Sequence, residues 1–240
     1  MKLTGNTILI TGGATGIGFE LARVLADRGN DVVICGRRRE RLEQAKARVP
    51  ALQTIVADVS DAAAREDLAR SLPEVNVLVN NAGVQHLFDF RDPSQLPNTG
   101  EEIAINLTAL IQMTTLFLPV IEQNQQPAVV NVSSGLAFAP LARMPIYCAT
   151  KAAVHSLTMS LRHQLRDAGV RVFEVIPPIV TSELGSAHRP EEVKRRAMPV
   201  EDAVARLIEG LERDEPEIAI GEAENMRAKR DALFPLMNPR

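Results

Sequence analysis

Thr11-Gly12-Gly13-Ala14-Thr15-Gly16-Ile17-Gly18 is the stretch on which the fold turns. The β-branched run Thr7 to Ile10 leads straight into it, and a helical pattern over 17–28 leads out. Glycines let a backbone turn sharply, bring bare N–H groups against a pyrophosphate and let a helix pack closely on a strand; the helix N-terminus adds favourable charge for an anion. A single glycine here would read as a tight structural turn. Gly12, Gly16 and Gly18, at fixed offsets across the first strand–helix junction, point to a nucleotide. Their spacing, G-x-x-x-G-x-G, is a variant of the common G-x-G-x-x-G fingerprint.

The pattern repeats outward from that turn. Strand candidates are Thr7 to Ile10, Asp31 to Cys35, Thr54 to Ala57, Val75 to Val79, Ala128 to Val132, Val170 to Ile176 and Glu217 to Ile220. Most are continuously apolar, as in strands buried on both faces of a parallel sheet. Helical patterns lie between them near 17–28, 38–48, 61–71, 101–122, 147–168 and 200–212, with Gly29 and Gly169 placed to close two of them at positive φ. Such alternation predicts an open, doubly wound α/β sheet with right-handed crossovers. The proline- and charge-rich stretch Thr181 to Pro199 is too short for a domain and reads as a lid or pocket loop, so one domain is expected over residues 1–240.

A chain of 240 residues buries roughly 70% of the surface that its unfolded state exposes, so it needs no disulfide or metal staples. Its 45% hydrophobic and 24% charged residues argue against disorder. A net charge of −3 leaves no basic footprint, which argues against nucleic acid as the main partner. No apolar run reaches the roughly 18 residues of a membrane span, and Met1 to Gly13, with one lysine and a short Ile8-Leu9-Ile10 run, does not read as a signal peptide. Cys35 and Cys148 form no ligand or disulfide spacing, which suits a reducing cytoplasm.

Two further groups carry chemistry. The second strand ends in Cys35-Gly36-Arg37-Arg38-Arg39, where an NAD-preferring site would place an acid for the ribose 2′-hydroxyl. Gly36 stands there instead. With no competing acid in this segment, Arg37 can offer a charge-assisted fork to a 2′-phosphate, while Arg38 and Arg39 read as a solvated face. Tyr147, the only tyrosine, is followed by Lys151 at a spacing that stacks both on one helix face. At about 4 Å and an effective dielectric of about 20, an ammonium attracts a phenolate by roughly 4 kcal/mol, enough to draw the phenol well below its ordinary value. A packed tyrosine beside an exposed lysine is the plainer reading of that spacing alone. Its place after the run Ala128 to Val132 and Ser133-Ser134 favours chemistry.

Taken together, these motifs resemble the short-chain dehydrogenase/reductase family, in its branch of compact single-domain enzymes. Asp58-Val59 closes the third strand, where the family places an adenine-contacting acid; Asn80-Asn81-Ala82-Gly83 closes the fourth and matches the family's central motif. The match continues through Asn106, Ser134, Tyr147 and Lys151 to Pro177. The resemblance implies a Rossmann-type doubly wound parallel sheet flanked by helices in a single domain. It implies cofactor contacts at Gly12, Thr15, Gly16, Ile17, Gly18, Asp58, Val59, Asn80, Asn81, Ala82, Gly83, Tyr147, Lys151, Pro177 and Val180. Tyr147 resembles the acid/base, Lys151 the residue that lowers its pKa and holds the nicotinamide ribose, and Ser134 the donor to the substrate oxygen, with Ser133 the neighbouring alternative. Asn106 resembles the residue that positions a relay water. One departure stands out: the family usually has Pro-Gly after the sixth strand, whereas this chain has Pro177-Pro178-Ile179-Val180, a pair that resembles a DltE-like subgroup. The last forty or so residues carry no family motif.

The expected function is transfer of a hydride between NADP(H), preferred over NAD(H), and a small-molecule carbonyl or secondary alcohol, with no nucleic acid or membrane partner. A non-catalytic dinucleotide-sensing regulatory protein is the alternative, yet it would be free to lose Tyr147 or Lys151. An epimerase or dehydratase would want a larger substrate domain. Helices 101–122 and 147–168 carry apolar residues on more than one face, such as Leu107, Ile111 and Phe117 or Val154, Leu157 and Met159, and in the resembling family these helices pair across a two-fold axis. A homodimer or homotetramer is therefore expected. His86, His155, His163 and His188 share no metal spacing with a carboxylate or cysteine, so no metal is expected. Arg189, Lys194, Arg195 and Arg196 would favour an acidic substrate, but Glu183, Glu191 and Glu192 lie among them and argue for a solvated face.

Overall fold

The computed structural model describes residues 1–185 and 189–239. The glycine turn joins β1 (Thr7–Thr11) to α1 (Gly16–Asp27), and the alternation continues through β2 (Asp31–Gly36), α2 (Arg39–Arg48), β3 (Gln53–Val56), α3 (Ala62–Ser71) and β4 (Val77–Asn80). The second half runs α4 (Leu96–Ile103), α5 (Ala109–Glu122), β5 (Ala128–Val132), α6 (Pro145–Gln164), β6 (Arg171–Ile176), α7 (Glu191–Arg196), α8 (Val200–Glu212), β7 (Glu217–Ala219), α9 (Glu222–Lys229) and α10 (Phe234–Met237). All seven strands pair in parallel, in the order β3-β2-β1-β4-β5-β6-β7.

Alternate strand residues feed two cores, as the period of two requires. Ile8, Ile10, Val32, Ile34, Val77, Val79 and Val130 pack with Leu21 and Leu25 of α1 and Val204, Leu207 and Leu211 of α8. Leu9, Val33, Leu78, Val129 and Val172 pack on the other face with Met113, Phe117 and Ile121 of α5. The chain runs outward from β1 in both directions, so β1 and β4 diverge at their carboxyl ends and leave the crevice where open α/β sheets bind ligands. Gly29 and Gly169 take φ of 77° and 71° at the ends of their helices, as their positions require.

Three features depart from the expected pattern. The helix expected over 101–122 begins at Leu96 and contains a π-helical turn, Ala104–Thr108, around the buried Asn106. With the 3₁₀ turn ahead of it, the run Pro93–Glu122 is long and apolar enough by composition to cross a membrane, although no uninterrupted apolar run marks it in sequence. Its inner face is instead spent on the core, through Met113, Phe117 and Ile121. Third, Thr181–Pro199 is closed at its base by a parallel bridge between Val180 and Met198, and α7 forms inside it.

Candidate active site

At the β1/β4 divergence lies a cavity of about 280 Å³. Gly12, Thr15, Gly16 and Ile17 line it from the glycine turn, Arg37 from the end of β2, Asp58 and Val59 from β3, and Asn81, Ala82 and Gly83 from β4. Ser134, Tyr147, Lys151, Pro177 and Val180 line it from β5, α6 and β6.

The glycine turn is built for close approach. Gly12 and Gly16 have φ of 64° and 56°, in the left-handed region. A Cβ on Gly12 would stand 2.9 Å from the Ala82 Cα. The loop after β4 pins the turn: the Asn81 amide donates to the carbonyls of Thr11 and Gly12 at 3.0 and 3.2 Å, and the N–H groups of Asn81 and Ala82 donate to Thr11 Oγ1 at 3.0 Å. Bare backbone at a helix start, beside this cavity, fits the phosphates of a dinucleotide.

At the β3 end, Asp58 accepts from the Ser60 N–H and hydroxyl at 2.9 and 2.7 Å. Burial pushes its carboxyl up, but those two bonds and the nearby Arg37 charge outweigh it and hold the pKa below the ordinary value. Arg37 is not without an acid, contrary to the reading of its own segment: Nη1 donates to Glu101 Oε1 of α4 at 2.8 Å. Arg38, expected to be merely solvated, lines the cavity and pairs with Glu183 at 2.9 Å, and Arg41 joins the same carboxylate.

Tyr147 and Lys151 share a face of α6 and are both buried. Here the expected electrostatics are corrected. Burial pushes the Tyr147 phenol up to about 12, against the favourable hydrogen-bonding influence of Ser134, and burial pulls the Lys151 ammonium down to about 8. Lys151 Nζ lies 5.7 Å from the ring centroid and donates to the Val132 carbonyl at 2.8 Å, so desolvation dominates both groups rather than their mutual attraction. Ser134 Oγ accepts from the Leu136 N–H at 3.1 Å, and the Ser133 hydroxyl is spent on Glu174 at 2.5 Å.

Three expected residues stand away from the cavity wall. Asn80 is buried, donating to Thr114 Oγ1 at 3.0 Å and Asn131 Oδ1 at 2.9 Å, which ties β4 to α5 and β5. Gly18 packs where a Cβ would meet Asn81 Nδ2 at 2.4 Å. Asn106 holds the loop after β4 by accepting from the Val84 N–H at 2.8 Å and donating to the Val84 carbonyl at 2.9 Å. It also faces, with Lys151, a separate void of about 10 Å³, close to the space of one water.

Gln85, Leu136, Leu184 and Met226, given no site role in the sequence reading, also line the wall, as do Pro178, noted there only as a departure from the family pattern, and Arg189, weighed there for an acidic substrate and set aside. Leu184 and Arg189 belong to the stretch read as a lid. Met226 had no signal; α9 packs so closely on Gly135 that a Cβ there would meet the Met226 sulfur at 2.7 Å. Of the histidines, His86 contacts Glu101 and His155 contacts Glu174 at 2.7 Å, while His188 lies outside the described residues. Ligand atoms of His155, Glu174 and Glu217 fall within 4.8 Å of one another, a grouping invisible in linear spacing because α6, β6 and β7 create it. Glu174 is already engaged by Ser133 and His155, and Glu217 by Arg162 and Arg227.

Residues 6–193 match the family model described as short chain dehydrogenase. The uncharacterized oxidoreductase DltE of Bacillus subtilis (strain 168) is 44% identical, with 99% of this chain and 98% of that one covered. A short chain dehydrogenase from Burkholderia cenocepacia J2315, solved in complex with NADP, superposes with a TM-score of 0.85 at 25% identity, covering 95% of this chain and 94% of that one. The 3-ketoacyl-(acyl-carrier-protein) reductase from Brucella melitensis, solved with NADH, superposes with a TM-score of 0.78 at 26% identity, covering 87% and 91%.

Proposed function

The chain belongs to the short-chain dehydrogenase family of oxidoreductases, and on that premise we propose that residues 1–240 act as one NADP(H)-dependent oxidoreductase domain that interconverts a small-molecule carbonyl and a secondary alcohol. The observation that carries this reading is a single cavity with the bare glycine turn, Tyr147, Lys151 and Ser134 all in its wall. The bound nicotinamide supplies or accepts the hydride. The residues of the chain do the rest.

Tyr147, protonated at neutral pH and pushed further up to about 12 by burial, donates a proton to the carbonyl oxygen as the alcohol forms, and takes it back in the reverse direction. Ser134 orients that oxygen. Lys151 holds the nicotinamide ribose hydroxyls and stabilises the phenolate left behind; Asn106 and Lys151 flank the small void through which a water can return the proton. Asn81, Ala82 and Gly83 flank the cofactor, and Asp58 receives the adenine side. Pro177 and Val180 border the carboxamide. Arg37 selects NADP(H): its guanidinium exchanges Glu101 for the 2′-phosphate. Solved relatives with NADP and with NADH both exist, so the preference rests on Arg37 itself. The two buried thiols, Cys35 and Cys148, fit a cytoplasmic setting. Apolar side chains left exposed on α5 and α6 support pairing of copies into a dimer or tetramer.

The test combines both ends of the cavity. Tyr147→Phe abolishes turnover of any ketone that the wild type reduces, while NADPH affinity, followed by nicotinamide fluorescence, stays near wild type. Arg37→Ala weakens NADPH about 10-fold, because a hydrogen bond to a charged group is worth roughly 1.5–3 kcal/mol and the exposed Glu101 pair offsets up to about 1 kcal/mol of it. NADH affinity is unchanged. Near wild-type turnover by Tyr147→Phe, or equal weakening of both cofactors by Arg37→Ala, contradicts the reading.

A further inference from the structure

Arg189 brings a charge into the cavity that the proposed chemistry does not use. It is half-buried and lines the wall with Tyr147, Gln85 and Leu184. One of its five N–H donors, at Nη1, reaches the Val180 carbonyl at 2.8 Å. The other cations of the wall are engaged: Arg37 by Glu101, Arg38 by Glu183, and Lys151 by the Val132 carbonyl. Among the described residues, Asp58 and Glu183 are the carboxylates that line the cavity. Asp58 is held by Ser60, and Glu183 is shared by Arg38 and Arg41. Among the described residues no carboxylate pairs with Arg189.

Its neighbours connect it to the part of the wall that holds Tyr147. The loop passes so close to Gln85 that a Cβ on Gly185 would stand 2.2 Å from the Gln85 Oε1 and 3.9 Å from the Arg189 Nε. Gln85 Nε2 in turn donates to the Met144 sulfur at 3.0 Å, and Met144 packs with Leu136, Tyr147 and Cys148. The Arg189 guanidinium would favour the Tyr147 phenolate, an influence smaller than the burial that holds the phenol up. Burying a guanidinium without an anion is costly, and a planar carboxylate meets its fork with two parallel charge-assisted bonds.

We propose that Arg189 receives a carboxylate of the substrate, so that the reacting group belongs to an oxo acid or the corresponding hydroxy acid. This rests on the oxidoreductase reading above and names its substrate class. In the reduction, the carbonyl carbon gains the hydride that the reduced nicotinamide supplies, the carbonyl oxygen gains the Tyr147 proton, and the carboxylate is unchanged. The fork fixes one end of the substrate and leaves the carbonyl to Ser134 and Tyr147.

The experiment compares α-, β- and γ-oxo acids of five carbons with their methyl esters, using NADPH as reductant. One acid is reduced with kcat/KM at least about 10-fold above its ester. Arg189→Gln lowers the acid-to-ester ratio of kcat/KM by about 10- to 100-fold, mostly through KM for the acid, and leaves the NADPH affinity within about 2-fold. Arg189→Lys, which keeps the charge and loses the fork, falls between; matching thermal melts establish that both variants fold. A second readout needs no turnover. Pentanoate titrated into the enzyme–NADPH complex changes nicotinamide fluorescence saturably in the wild type and not in Arg189→Gln. Esters reduced as well as acids, or an Arg189→Gln that weakens NADPH while the acid-to-ester ratio stays put, overturn the proposal; the latter assigns the guanidinium to the cofactor's phosphates. If no ketone of either kind is reduced, the oxidoreductase reading fails, and absence of pentanoate binding then overturns the carboxylate site separately.

Discussion

Lys151 shows how a single residue couples stability to its task. Its ammonium is buried, and desolvation holds its pKa near 8 against an ordinary 10.5. The folded state therefore binds fewer protons at this position than the unfolded state between those values, so raising the pH through that window stabilises the fold. The penalty is fully present below about pH 8 and relieved by about pH 10.5, a difference of about 3 kcal/mol. Lys151→Met removes it at every pH. Denaturant melts of wild type and Lys151→Met, both without cofactor, should thus show the wild type gaining on the variant as pH rises from 8 to 10.5; a constant difference would mean that the amine is not desolvated. The same burial raises the Tyr147 phenol to about 12, so that it remains a proton donor well above neutral pH. A sequence argument weighs Tyr147 against Lys151 at helical spacing, but only the packed site reveals that burial outweighs their attraction.

At the scale of elements, the glycine turn has two kinds of glycine in and around it. Gly18 is pressed from two sides, since a Cβ would lie 2.4 Å from Asn81 Nδ2 and 2.6 Å from the Gly12 carbonyl oxygen. Gly36, at the end of β2, has nothing within 4 Å of its would-be Cβ and no positive φ. Gly18→Ala should therefore cost about 1–3 kcal/mol and weaken NADPH, because the Asn81 amide that pins the turn must move. Gly36→Ala should stay within about 0.5 kcal/mol of wild type. Thermal melts with and without NADPH separate the two, and equal melting of both variants would remove the packing role assigned to Gly18. The interlock between β1 and β4 was half legible: the motif at Asn81 was read as a cofactor contact, whereas its amide is spent on the carbonyls of Thr11 and Gly12. Asn80 and Asn106 tell the same story, their amides spent on neighbouring backbone and side chains.

For the whole molecule, the apolar side chains that the fold leaves uncovered fall in part on α4, α5 and α6, with others at Leu87 and Phe90 after β4, at Val56 in β3 and at Phe234 and Leu236 in α10. Leu110, Phe117 and Val154 are buried, whereas Ile103, Ile111 and Met159 remain 42%, 40% and 46% exposed. These exposed positions are what remains of helices that read as apolar nearly all round. Sedimentation at micromolar concentration should show a dimer or tetramer, and charged replacement of Ile111 and Met159 together should shift it towards monomer. A wild-type monomer would contradict the expectation.

The alternation of strands and helices, the glycine turn and the Tyr147–Lys151 pair follow from local rules, because hydrophobic period and residue spacing act over one element and its immediate neighbours. The doubly wound sheet was legible for that reason, down to strand bounds within two residues. What the spacing along the chain could not contain is which distant charges meet. Glu101 reaches Arg37 across 64 positions, Glu183 reaches Arg38 across 145, and Met226 arrives at the cavity from a segment without a motif. Electrostatic contact depends on distance in space and on burial, and both are properties of the folded chain. The counter-ion of each arginine, the protonation of Tyr147 and the company of Arg189 were therefore decided by tertiary structure alone.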